Sequence, residues 1–390
     1  MQDLLKVMIV AGEASGDTHA AKLVREMRAL LGEGEAEFFG AAGHRMREAG
    51  VEPIVKSDEL SIVGLPEIGR ALPMFLRAFR DLKRAAVERR PDVIILVDFP
   101  DFNLKLAKSL KRKGFKIVHY ISPQLWAWRK YRIRTIRKYV DLLLTILPFE
   151  KDWYAKHGVE HVEYVGSPLT REIHPSVSKD EFCIKHGLNP EKPIVSLLPG
   201  SRHKEIVRIL PVMLDAASKM EASDHEIQFL VAMAADRKHH EVEDAIAALK
   251  STGTQPPGRL TIVEAETYDA INASDAAAVT SGTATLETGI IGTPMAIVYK
   301  TSALNYKLLR PLISVEHFGL INLIAEKRIA KELIQGDLTS SSLAFELLSL
   351  LDPTENAKAR AELAEATEKL GHGGASKRAA EAIYRVVRQK

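Results

Sequence analysis

The residues best suited to chemistry stand at two corners in the second half of the chain. Ala276-Ala277-Ala278-Val279 reads as a short buried strand that stops at Thr280-Ser281-Gly282-Thr283. A helical pattern with Leu286, Ile290 and Ile291 begins at once. A strand, a small hydroxyl-rich loop and a helix start aim free backbone N–H groups and the positive end of a helix dipole at one point, which suits a phosphate. Glu287 stands further into that helix, where a carboxylate can reach past phosphates to the two hydroxyls of a ribose. The second corner is Leu197-Leu198-Pro199-Gly200-Ser201-Arg202, in which Arg202 offers a planar fork for diphosphate oxygens. One such corner is what any α/β protein builds between a strand and a helix. Two in the same half suggest a nucleotide diphosphate.

In the first half, Val93–Asp98 reads as a strand that ends in an acid. A carboxylate at the end of a central buried strand is poorly placed for structure and well placed to enter a cleft. Desolvation there raises its pKa and makes it a better proton acceptor near neutral pH. Asp101, three residues on, reads more simply as a helix N-cap. The loop Ala11–Thr18, with Glu13, Ser15, Gly16 and Asp17, follows the first strand and opens the first helix. It is either a glycine-permitted turn capped by Asp17 or Thr18, or a loop lining a cleft for a sugar or its phosphate. It lacks the G-x-G-x-x-G spacing, so nicotinamide binding has no support. No D-x-D, H-E-x-x-H or Cys/His cluster occurs, so no metal and no other cofactor is expected.

Two further stretches are suited to amphiphilic contacts. In Ser61–Arg80, Val63, Leu65, Leu72, Met74, Phe75 and Phe79 are interleaved with Arg70, Arg77 and Arg80. That is either a helix buried on a sheet or an interfacial element with acyl chains below and phosphates beside. Trp126 and Trp128 are followed by Arg129, Lys130, Arg132, Arg134, Arg137 and Lys138 with no acid among them. An indole pair beside a cationic helix suits an anionic amphiphile or an acidic membrane surface. The aromatics are not spread along the patch as a stacking platform, so nucleic acid is not expected as a partner. Asn322, alone in the apolar segment Gly319–Ala325, either satisfies backbone groups in a turn or binds a donor substrate.

The elements that must position these residues alternate between strand-length runs and amphipathic helices, which is the pattern of parallel βαβ units. At 390 residues two domains are the default. The pattern lapses between Gly166 and Pro193, where prolines cluster, and this places a linker at 171–192. The expected fold is thus two doubly wound α/β domains facing a cleft, over 1–170 and 193–351. After about Ser340 the chain reads as helices only. A composition of 46% hydrophobic and 27% charged residues with a net charge of +3 is that of a soluble globular protein without a general affinity for nucleic acid. The single cysteine, Cys183, excludes an internal disulfide and fits a reducing cytoplasm. No apolar run approaches the roughly 20 residues needed to span a bilayer.

Taken together, these stretches resemble the lipid-A-disaccharide synthases. The matching motifs are AGEASGD at Ala11–Asp17, the Asp98–Asn103 pattern, HYISPQLWAWR at His119–Arg129, LPFEK at Leu147–Lys151, LLPGSRxxE at Leu197–Glu205 and SGTATLE at Ser281–Glu287. The resemblance implies a GT-B architecture of two Rossmann-like domains, with helices 352–390 returning to the first. It implies inverting, metal-independent transfer of 2,3-diacylglucosamine from its UDP carrier to 2,3-diacylglucosamine 1-phosphate. It carries an essential or general-base role to Asp98 and diphosphate contact to Arg202. Loop contacts fall to Ser281, Gly282 and Thr283, ribose contact to Glu287, and a donor-site role to Asn322. The neighbours of Asn322 depart from the family pattern, with Ile321 in place of proline and Glu326 in place of glycine. The similarity also implies a cytoplasmic protein on the inner-membrane surface, with a homodimer left open. Another UDP-sugar enzyme, or a non-catalytic module binding nucleotide and membrane, remains an alternative on the residues alone.

Overall fold

A computed structural model of the chain describes residues 4–32, 34–59, 68–234, 239–302, 306 and 316–388. Its backbone divides into two compact units, Met1–Pro168 with His372–Lys390, and Leu169–Gly371.

Unit 1 alternates strand and helix through β1 (Leu5–Ala11), α1 (Ala14–Leu31), β2 (Ala36–Ala42), α2 (His44–Glu48), β3 (Glu52–Lys56) and α3 (Ile68–Arg89). It continues through β4 (Val93–Val97), α4 (Pro100–Lys111), β5 (Ile117–Tyr120), α5 (Ile133–Tyr139), β6 (Leu142–Thr145), α6 (Pro148–Lys156) and β7 (Val162–Tyr164). The strands form one sheet in the order β3-β2-β1-β4-β5-β6-β7, every pair parallel. A strand covered on both faces needs no polar alternation, and β4, Val-Ile-Ile-Leu-Val, is buried at all five positions. Its odd residues join the core under α1, and Ile94 and Leu96 join the core under α3 and α4. The strand order reverses between β1 and β4, so the loops after these two strands emerge side by side at the carboxyl edge, where doubly wound sheets bind ligands.

Unit 2 repeats the plan. After α7 (Leu169–Glu172) and α8 (Lys179–His186) come β8 (Ile194–Leu198), α9 (His203–Ser223), β9 (Gln228–Met233), α10 (His240–Ser251), β10 (Leu260–Glu264) and α11 (Thr267–Ala273). Then follow β11 (Ala276–Thr280), α12 (Thr283–Ile291), β12 (Met295–Tyr299), α13 (Leu320–Ala325), β13 (Glu332–Ile334), α14 (Ser340–Leu351) and α15 (Pro353–Glu368). The parallel order is β10-β9-β8-β11-β12-β13, which reverses between β8 and β11.

The ends of the units differ from the sequence expectation. The stretch expected as a linker, 171–192, contains α8, whose Ser178 and Glu181 form a reciprocal capping box, and it clusters with unit 2. Of the helices expected to return to the first domain, only α16 (Ala375–Arg388) does so. It buries Ala379, Ala380, Ala382 and Ile383 in the core beneath α1. Helix α15 stays on unit 2, where Asn356 donates to Asp275 O and Leu350 O and Arg360 donates to Gly292 O. Strands β3 and β13 were not anticipated, because short edge strands carry too little apolar pattern to stand out. Among the described residues no helix is long and apolar enough to cross a membrane.

Candidate active site

At the switch point of unit 1, β4 ends at Val97 rather than at Asp98. Asp98 and Phe99 both take left-handed backbone angles, φ 47° and 48°. Two consecutive non-glycine residues there cost of order 1–2 kcal/mol each, so the surroundings must hold them. Asp98 N donates to Tyr120 O on the neighbouring strand (3.0 Å). Buried Asn103 reaches back from α4 and donates to Val97 O (3.2 Å) and Asp98 O (2.8 Å). The Phe99 ring lies against Phe102, centroids 5.6 Å apart, and covers Gly12, where an added Cβ would fall 2.2 Å from the ring. Glycine at position 12 is therefore a condition of the Phe99 position. The Asp98 carboxyl is half-buried. Burial, and then the charge of Glu13 on the adjacent loop, push it above the ordinary carboxylate value, against the Phe99 N–H that stabilises the anion. The result is a strained, firmly tied backbone that carries a partly dehydrated carboxyl, suited to taking a proton.

The neighbouring loop is only partly available to a ligand. Glu13 and Ser15 are exposed, and Gly16 is buried against the sheet, where an added Cβ would make ordinary contact with Val97 O at 3.7 Å. Asp17 departs from expectation: it is buried and accepts from Gly43 N (2.8 Å), Arg45 N (2.8 Å) and Met46 N (3.3 Å), so it caps α2. Asp101 is not the cap of its helix either. It takes hydrogen bonds from Arg129 (2.9 and 3.1 Å) and from Arg132. Burial would raise the Asp101 carboxyl, but Arg132 and Arg129 together hold it below the usual range.

The tryptophan pair divides. Trp128 is half exposed, with the Arg129 guanidinium 4.2 Å from its ring centroid, while Arg134 is exposed on α5. Trp126 is buried instead of facing outward: its indole N–H donates to Glu150 (3.1 Å) and its ring meets Phe149 edge-on at 5.2 Å. Glu150 also accepts from Leu147 N, and burial pushes its carboxyl up to about 7. Within LPFEK nothing in the sequence distinguishes Glu150; its burial beneath Trp126 is what marks it. On α3, Leu72 and Leu76 are exposed, whereas Met74, Phe75 and Phe79 turn inward onto the sheet and the Phe99–Phe102 pair. The ring cluster under Asp98 takes that side of the helix away from any lipid. Val63 and Leu65 lie outside the described residues.

Unit 2 presents its own switch point. Gly200 has φ 105°, and a Cβ there would fall 2.6 Å from Glu205 Oε2, so the turn needs glycine. Ser201 and Arg202 are exposed at the start of α9, with the Arg202 guanidinium paired to Glu205 at 2.8 Å. After β11, Gly282 and Thr283 are exposed at the N-terminus of α12. Ser281 is tied down, its N–H donating to Val298 O (2.8 Å) and its hydroxyl to Phe318 O (2.7 Å). Glu287 is half-buried on α12, its carboxyl raised by burial and eased by a hydrogen bond from Thr283. Asn322 is fully buried. Its amide donates to Ala330 O and Glu332 Oε1, and its carbonyl accepts from Ile329 N and Ala330 N. Those bonds use up both amide hydrogens, so Asn322 ties α13 to the Ile329–Ala330 backbone and to Glu332, which in turn accepts from Phe318 N and Gly319 N.

The chain matches a family model described as lipid-A-disaccharide synthetase over residues 7–386. It is 44% identical to the lipid-A-disaccharide synthase of Syntrophus aciditrophicus, with 96% of each chain covered. To that of Geobacter sulfurreducens it is 42% identical over 96% of this chain and 95% of the other. Among solved structures, a putative UDP-N-acetylglucosamine 2-epimerase from Listeria monocytogenes superposes with TM-score 0.67 at 16% identity, covering 99% of this chain and 97% of that one. A glycosyltransferase from Rickettsia africae superposes with TM-score 0.59 at 13% identity over both whole chains. These two likenesses speak to the fold, the paired Rossmann-like units of GT-B proteins. The sequence matches over nearly the full length go further: the chain belongs to the lipid-A-disaccharide synthase family.

Proposed function

We propose that the protein joins UDP-2,3-diacylglucosamine to 2,3-diacylglucosamine 1-phosphate, yielding the β(1→6)-linked disaccharide 1-phosphate and UDP. Family membership supports the reaction. The observation that carries the mechanism is the Asp98 carboxyl, held in a strained turn and raised by burial and Glu13. Asp98 takes the proton of the acceptor's primary hydroxyl as that oxygen bonds to the donor's anomeric carbon. The bond from that carbon to the diphosphate oxygen breaks with inversion, and its electron pair leaves on UDP. Arg202 and the free N–H groups at the start of α12, near Gly282 and Thr283, meet the charge that develops on the diphosphate. Gly200 and Ser201 lie beside Arg202, and Glu287, half-buried further along α12, accepts from the ribose hydroxyls.

The acyl chains of both substrates reside in a membrane, and we assign the cytoplasmic face of the inner membrane as the working surface. Exposed Leu72, Leu76 and Trp128, with cationic Arg77, Arg80 and Arg134, support that contact. The test is incubation with both acylated sugars, followed by mass analysis of the lipid product and assay of released UDP. Formation of the disaccharide 1-phosphate is expected. Release of UDP without disaccharide, or turnover of the donor alone, overturns the reading.

A further inference from the structure

We propose that Arg129 and Arg132 form a cradle for the phosphate monoester of the acceptor, with Asp101 as the internal anion that occupies it when no acceptor is bound. The inference rests on the transferase reading above and assigns the acceptor's phosphate to particular residues.

Two guanidinium groups from one loop converge on a single oxygen, Asp101 Oδ1. Their approach is preset. Arg129 sits at φ 57° with its guanidinium over the Trp128 ring, and the same loop is clamped from below by Trp126 on buried Glu150 and by Ser122 on the Tyr154 hydroxyl (2.9 Å). Asp101 itself is open to water, its side chain 64% exposed, while the Arg132 guanidinium it meets is largely buried, so the anion can leave and the cationic site stays in place. A phosphate monoester carries more charge than a carboxylate and a third oxygen, and it pairs with guanidinium forks in the same planar way. It therefore displaces Asp101 toward water at small cost. Position also fits. Asp101 lies in the first turn of α4, three residues after Asp98. In a hexosamine 1-phosphate the attacking hydroxyl and the phosphate flank the same edge of the sugar ring, so the groups that meet them must lie close together. The carboxylate that takes the proton and the anion that the phosphate replaces thus stand three residues apart across the start of α4.

The test compares the phosphorylated acceptor with the same diacyl sugar lacking the phosphate. In the Arg129→Ala/Arg132→Ala protein, kcat/KM for the phosphorylated acceptor should fall about tenfold to a hundredfold per arginine. The unphosphorylated acceptor and the KM for the UDP-sugar should change little, so the preference for phosphate disappears. Asp101→Asn, which removes the competing anion, should lower KM for the phosphorylated acceptor severalfold. Equal losses on both acceptors, or a raised KM in Asp101→Asn, would reduce the cluster to a structural tether and overturn the proposal. Co-sedimentation with phosphatidylglycerol vesicles separates the other source of phosphate. If the double variant loses vesicle binding yet keeps its acceptor preference, the ligand is a membrane headgroup and the proposal fails. Acceptor binding is read apart from turnover, by titration calorimetry in detergent. A wild-type protein that binds through these arginines but makes no disaccharide keeps the cradle and overturns the transferase reading alone.

Discussion

Asp98 differs from an ordinary surface aspartate in two ways at once: its backbone is strained and its carboxyl is partly dehydrated. As a base it works only when ionised, so the rate should rise with pH through a pKa above the usual 3.8. Glu13→Gln removes the charge that opposes ionisation, so the acidic limb of the kcat/KM profile should move to lower pH. A limb that stays put would separate Glu13 from Asp98. Asp98→Asn should lose about 10²–10⁴ in turnover, measured as disaccharide formed, while the protein still melts cooperatively. Asn322 calls for a different expectation, because its amide is spent inside unit 2. Asn322→Ala should destabilise the protein by about 1–3 kcal/mol for each buried group left unpaired, seen in chemical denaturation. A variant that lost donor affinity with stability intact would restore the ligand role that the resemblance implies.

The helix α6, the tryptophan loop and the strand β5 that leads into it carry two buried groups through which stability should answer to pH in opposite senses. Glu150 has a folded pKa of about 7 against an ordinary 4.5, so its contribution is complete below 4.5 and is lost as pH rises through 7. Fully buried His119 on β5 is pushed down from 6.5 to about 4, so its contribution is complete above 6.5 and is lost as pH falls through 4. Between roughly pH 4.5 and 6.5 the two slopes oppose each other. Glu150→Gln keeps an acceptor for the Trp126 indole but no longer titrates. Its melting temperature should fall more steeply than that of the wild type on acidification from 6.5 toward 4. Parallel curves for the two proteins would show that the Glu150 carboxyl titrates normally.

For the whole molecule, the chain's last helix matters more than its distance in sequence suggests. Helix α16 closes the core of unit 1 from the far end of the chain, with Ile383 fully buried. Ile383→Ala should cost about 2–5 kcal/mol. Hydrogen exchange should then quicken in α1 and leave α9 of unit 2 unchanged, since α15 holds to unit 2 through its own hydrogen bonds. Equal loss of protection in both sheets would mean that the two units unfold as one.

Sequence periodicity and turn chemistry determined the parallel α/β class, the two sheets and the corners that follow β1, β4, β8 and β11. Those features are local: a buried strand must be apolar throughout, and a loop that approaches a phosphate must be small. That Asp98, Arg202 and Gly282 stand at those corners was legible for the same reason. What a polar side chain does once the chain folds was not legible, because its partner is distant in sequence. Asp17 caps a helix 27 residues on, Trp126 turns inward to Glu150, Asn322 spends its amide on Ala330 and Glu332, and Asp101 meets two arginines from another loop. Only the tertiary structure decided these pairings, since a buried polar group must find a partner wherever the fold brings one.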